Sequence, residues 1–188
     1  MRYKENEQIS YEAIIVAIKL TDIQKTFFDE VRYVDDTAQI VLKGHLVVED
    51  LMNKALESFM LHGEHIEDAR LQFHQKLEIC KSISLSDNKN NMWNLIMKIY
   101  VLRNALSHSL DKDRRERAIL LLKSIYDQEF DPQSRYIDDM SEEAAPCIAA
   151  IGGALGYLSS FLSEVQRFKS IIKDLDKIIN NGELSKGA

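Results

Sequence analysis

Arg103, Asn104, Ser107 and His108 are the residues of this chain whose types and spacing could do chemistry. A histidine exchanges protons near neutral pH. A guanidinium presents a planar, permanently charged donor fork that matches a phosphate or another oxyanion. The four residues stand in the hexapeptide Arg103-Asn104-Ala105-Leu106-Ser107-His108, a proton carrier and a fixed cation close together in the chain. On a helix Asn104 and His108 are i,i+4 neighbours whose side chains can touch. Arg103 and His108, five positions apart, point about 140° away from each other, so one straight helix does not aim both at one phosphate. A structural reading stands beside the chemical one: Arg103 in an ion pair, and His108 as a satisfied core histidine near a helix end. Three such groups together at the end of the most apolar helix favour the chemical reading.

That helix is expected over residues 91–110 and is apolar on nearly every side. Met92, Ile96, Ile99, Leu106 and Leu110 form one stripe, and Trp93, Met97 and Tyr100 form a second. Arg103 interrupts the first stripe, while Asn104 and His108 continue the second. Polar groups set into buried stripes are costly unless they are paired or wet. A helix of this kind must be covered on several faces by its own chain or by a partner.

The remaining elements follow from helical periodicity. A helix is expected over 10–34, with Ser10 as N-cap. A second, over 37–61, carries the stripe Val48, Leu51, Met52, Ala55, Leu56 and Phe59 and ends at His62-Gly63. A third is expected over 67–83, a fifth over 114–129 and a last over 141–180 with a kink near Gly152-Gly153; the tail from Gly182 should fray. Two prolines and seven glycines in 188 residues argue for long helices over a many-turned sheet protein. The expectation is a single all-α domain, an up-and-down bundle of five to six helices.

Two further groups bear on the motif. Lys112, Arg114, Arg115 and Arg117 place four cations just beyond His108, as a solvated, self-paired helix start or as a holder of flanking phosphates. On the second helix His45, Glu49, Asn53 and Glu57 form an i,i+4 row beside the apolar stripe, and solvent exposure is the expectation for the row. Glu49 is its one candidate for function.

The motif and its setting resemble the higher-eukaryote-and-prokaryote nucleotide-binding (HEPN) domains, in which an Arg followed by a polar residue precedes a His by a short gap. Arg103-Asn104-x-x-x-His108 matches that signature. Gly44-His45-Leu46-Val47-Val48-Glu49-Asp50-Leu51 looks like the family's upstream helix, and Phe73-His74-Gln75-Lys76-Leu77, a polar loop and a Trp-led helix follow in the familiar order. The similarity covers residues 36–125 and leaves the first and last helices as elaborations. It implies a metal-independent endoribonuclease of toxin or antiphage-defence type that needs no cofactor and uses the 2′-hydroxyl of RNA. His108 would then transfer the proton, Arg103 would stabilise the phosphate and Asn104 would orient, with Ser107 and Glu49 in support. It also implies a homodimer through the motif helix, which brings two copies of Arg103 and His108 into one groove, and a cognate antitoxin or regulatory protein as a further partner. Toxins of this family paired with a nucleotidyltransferase carry a Tyr two residues after the His; Leu110 stands there instead. The mannitol operon repressor family has a similar helical layout, so a catalytically silent interaction or transcription-regulatory module is the alternative.

Charge and composition narrow the setting. With a formal net charge of −6, the chain is unsuited to holding long duplex nucleic acid by its whole surface, and any RNA contact must be local. Cys80 and Cys147 lack any metal-ligand spacing and read as buried thiols of a reducing compartment. No signal-peptide core opens the sequence. Residues 144–162 are apolar, but Pro146, three glycines and two serines among them favour a buried helix over a membrane span. A cytoplasmic protein without a membrane partner is expected.

Overall fold

The structure, a computed structural model, describes residues 22–25, 37–85, 91–108, 112–131 and 143–184, with the backbone alone at 108, 112 and 181–184. All regular structure among these is helical. The elements are α1 (Thr37–Phe59), α2 (His65–Asp68), α3 (Phe73–Ile83), α4 (Met92–His108), α5 (Lys112–Glu129) and α6 (Ala144–Leu184). The helix expected over 10–34 lies outside the described residues except for 22–25, which are helical. The polar loop before Asn91, Leu110 and the tail beyond Leu184 also lie outside them.

The helix expected over 67–83 is two pieces. α2 stops at Asp68, and Arg70 takes a left-handed φ of 47°, a conformation that ends a helix and turns the chain. α3 then restarts after Gln72, whose backbone N–H donates to Gln75 Oε1 at 2.9 Å, one half of a reciprocal cap. α1 ends at Phe59, two residues early, and its basic cap comes from a distant helix. Lys169 Nζ of α6 donates to Met60 O at 2.8 Å and Glu57 O at 3.4 Å, placing a cation at the negative end of α1.

The bundle is not up-and-down. His45, Glu49 and Met52 of α1 meet Phe73, Lys76 and Cys80 of α3 in that order, so the two run parallel. α6 also follows α1, with Gly44 against Ile151 and Phe59 against Phe168. α5 starts and ends beside α6 through Arg115–Glu143 and Phe130–Gly153. α4 alone runs the other way: Tyr100 lies over His45 and Phe73, while Asn91 at its head meets Glu129 at the end of α5. Residues 60–72 and 130–143 are long enough to carry the chain back between parallel neighbours.

Packing of α1 on α6 is the broadest contact, and the first half of α6 is core rather than extension: Ile148, Ile151, Leu155 and Leu158 are fully buried. α6 has the length and apolar composition of a membrane span, but 56% of that stretch is already buried inside the protein. Cys80 and Cys147 are buried free thiols, both pushed by burial up to about 12. A Cβ on Gly44 would sit 2.6 Å from Ile151 Cδ1 and 2.8 Å from its Cγ2, and Ile151 is fully buried with nowhere to move. Gly44→Val should therefore cost about 1–3 kcal/mol through overpacking, read as a lower urea midpoint; an unchanged midpoint would contradict the close α1–α6 approach.

Candidate functional site

One broad face of helix α4 is buried almost to the helix end. Leu95, Ile96, Ile99, Leu102 and Ala105 are at most 1% exposed, covered by α1, α3, α5 and α6. The chain itself thus covers a helix whose apolarity, read from sequence, could equally have called for a second copy. In the last two turns Ala105 keeps the buried edge while Arg103 and Asn104 become half-buried and Ser107 exposed.

The motif residues are tied locally. Arg103 Nη1 donates to Asn104 Oδ1 at 2.9 Å, and Ser107 Oγ donates to Arg103 O at 2.9 Å. Among the described residues no carboxylate pairs with Arg103, whose short side-chain contact is the one to Asn104. With its Oδ1 engaged, Asn104 keeps its amide nitrogen as a donor. The side chain of His108 lies outside the described part; its backbone is the last residue of α4.

Behind Arg103 stands a group that sequence reasoning mostly missed. His45 is not in a solvated row: it is 5% exposed. Its ring stacks on Phe73 at 4.7 Å and lies 5.8 Å from Tyr100, and Phe73 and Tyr100 stack at 4.7 Å. His45 Nε2 is buried and has no hydrogen-bond partner. Glu49, one turn on, is half-buried and accepts from Lys76 Nζ at 2.6 Å. The usable signal was spacing: Val41, His45, Val48 and Met52 share the i, i+4, i+7, i+11 stripe of α1, which puts His45 on the core face.

Burial pulls the His45 imidazole below its ordinary value of 6.5; Glu49 opposes this, and Arg103 and Lys76 add to it. The ring is therefore neutral at neutral pH, and one more charge next to Arg103 and Lys76 is avoided.

The basic run beyond the motif divides. Arg115 is committed: its Nε and Nη2 donate to Glu143 Oε1 and Oε2 at 2.5 and 2.6 Å, fastening the start of α5 to the start of α6. Arg114 and Arg117 are exposed, with Arg117 Nε donating to Asp113 O at 3.0 Å; the Lys112 side chain lies outside the described part. Comparison with family models, with curated proteins and with solved structures finds no match.

A neutral buried His45 gives a pH signature. Below the ordinary 6.5 the unfolded chain takes up a proton that folded His45 resists, so stability is full above that pH and falls as pH drops through and below it. Urea midpoints measured on both sides of 6.5 should show this fall in wild type and a shallower one in His45→Phe, which keeps the ring stack. Equal slopes would show that His45 is not the group responsible.

Proposed function

We propose that this protein is a metal-independent endoribonuclease of toxin or antiphage-defence type, cytoplasmic, with its site at the emerging end of α4. The observation that carries the proposal is Arg103. It is a half-buried arginine whose side chain is held by a neutral amide at 2.9 Å instead of by a carboxylate, which leaves its charge available to an anion. Exposed Arg114 and Arg117 follow it in the chain, local cations on a protein of net charge −6, as binding of a short RNA stretch requires. Lys112 belongs to the same run; Arg115, engaged with Glu143, holds the run in place.

In this reading His108 removes the proton from a ribose 2′-hydroxyl as that oxygen attacks the adjacent phosphorus. The bond to the 5′-oxygen breaks, that oxygen takes up a proton, and the products end in a 2′,3′-cyclic phosphate and a 5′-hydroxyl. Arg103 binds the non-bridging oxygens as their charge grows. Asn104 fixes the guanidinium and orients His108 or the substrate, while Ser107 braces the turn. Glu49 acts at one remove, through Lys76 and the stack under Arg103.

The 140° divergence of Arg103 and His108 on one helix is the reason to propose a two-fold homodimer in which two α4 ends meet. Val101 on α4 and Leu120 and Leu121 on α5, which are 40%, 63% and 52% exposed, supply apolar surface on the two helices concerned. Such a groove is also where a cognate antitoxin would block the site.

Incubation of the purified protein with total RNA in EDTA tests the proposal. Cleavage should persist and yield cyclic-phosphate ends. His108→Ala should lose about 10²- to 10⁴-fold in rate, and Arg103→Ala about 10²- to 10³-fold, with the circular dichroism unchanged. Arg103→Lys should recover little, because an ammonium lacks the planar fork. Strict magnesium dependence with 5′-phosphate products would overturn the mechanism. RNA cleavage by His108→Ala at the wild-type rate would make the motif structural and the chain an interaction or transcription-regulatory module.

A further inference from the structure

The second half of α6 leaves the bundle. α1 ends at Phe59, which stacks on Phe168 at 6.4 Å, and every residue from 171 to 180 is exposed. This free stretch is nevertheless apolar along one side. Phe168, Ile172, Leu175 and Ile179 continue, at alternating spacings of four and three, the stripe begun by the buried Leu158, Phe161 and Val165. Ile171 and Ile178 widen it, and the six residues beyond Val165 are between 41% and 69% exposed. Scattered apolar residues on a surface are ordinary. A stripe that holds a 3.5-residue period past the end of its own core is a coiled-coil seam without its second strand.

We propose that a second copy of this chain covers the seam, its α6 lying antiparallel across residues 168–179. The stripe is self-complementary in one antiparallel register, centred between Lys173 and Asp174. There Phe168 meets the partner's Ile179, and Ile172 meets the partner's Leu175, so all four seam positions of both copies are filled. The same register sets Ile171 against the partner's Ile178 on one flank and Lys169 against the partner's Asp176 on the other, joining apolar to apolar and cation to anion. Both ends of the overlap are bounded. At one, α1 closes over Phe168, with Lys169 Nζ on Met60 O. At the other, the seam stops at Ile179 and the polar Asn180-Asn181-Gly182 follows. A parallel pair would instead bring both bundles to the same end, where α1 already covers Val165.

The contact is two-fold and isologous, as homodimer interfaces commonly are. Spanning about 18 Å of helix, it is a short seam whose occupancy depends on concentration. It lies toward the end of the bundle away from Arg103, so it leaves the proposed RNA site open and does not depend on that site's chemistry.

Cysteine cross-linking of the full chain tests orientation and partner together. Cys80 and Cys147, buried and with thiols pushed up to about 12, stay out of mild oxidation. Ile172→Cys mixed with Leu175→Cys should give a disulfide-linked heterodimer, while either variant alone gives little. Ile172→Asp with Ile179→Asp should remove the seam's own association step from the mass measured by light scattering against concentration, leaving any dimer through α4, with the helical circular dichroism retained. Strong self-linking of each single variant would indicate a parallel seam. No cross-link in any mixture would mean that another molecule, or none, covers the stripe. Either result overturns the proposal, and RNA cleavage, assayed in the same samples, reports separately on the motif.

Discussion

Burial of one broad face of α4 is the constraint from which the rest of the architecture follows. Leu95, Ile96, Ile99 and Leu102 are fully buried, and they point in directions that no single neighbouring helix can cover. Four helices, α1, α3, α5 and α6, pack against α4 as a result, and that arrangement needs more than hairpin turns between them. Connections as long as residues 60–72 and 130–143 let α1, α3, α5 and α6 run one way and α4 the other. Trp93 shows the fit: its ring takes the edges of Tyr157 and Phe161 at 5.2 and 5.3 Å, apolar area that helps hold the head of α4 to α6.

The same constraint locates the candidate site. A fully desolvated arginine would be costly without a matching charge, so Arg103 can stand only where α4 begins to leave the core. One turn earlier, Tyr100 is still stacked on Phe73 and lies tilted at 5.8 Å from His45. The site therefore rests on an aromatic floor tied to the first and third helices. Glu49 and Lys76 neutralise each other beside it at 2.6 Å, and a neutral His45 adds no further positive charge. The guanidinium keeps one short contact, to Asn104. Arg103 is thus fixed, half-buried and, among the described residues, without a carboxylate partner.

Long-range electrostatics work in the opposite direction, and geometry reconciles the two. A net charge of −6 repels a polyanion at a distance, while salt screens such fields beyond about 8–10 Å. Exposed Arg114 and Arg117 follow α4 in the chain, and the start of α5 is anchored by the two-pronged Arg115–Glu143 pair. One arginine of the run is thus a fastener, while Arg114 and Arg117 are exposed. The cations of the run look equivalent in sequence, and only the placement of Glu143 sets Arg115 apart.

What the sequence determined by itself is local. The helical class and most helix bounds followed from periodicity, as did the singling out of Arg103, Asn104 and His108 at the end of the most apolar helix; the core status of Cys80 and Cys147 followed from their lack of metal-ligand spacing. Spacing along one chain fixes which residues share a helical face, and that information survives without a partner element. The tertiary structure decided what each face meets. His45 and Glu49 lie in one i,i+4 row, and only the arrival of α3 separates them, placing one under Phe73 and the other on Lys76. The parallel run of α1, α3, α5 and α6 was equally hidden, because a connection of about a dozen residues permits either direction and only side-chain fit selects one. The cover for α4 was open for the same reason: an all-round apolar helix states that burial is required, and the packing of the whole chain determines what supplies it.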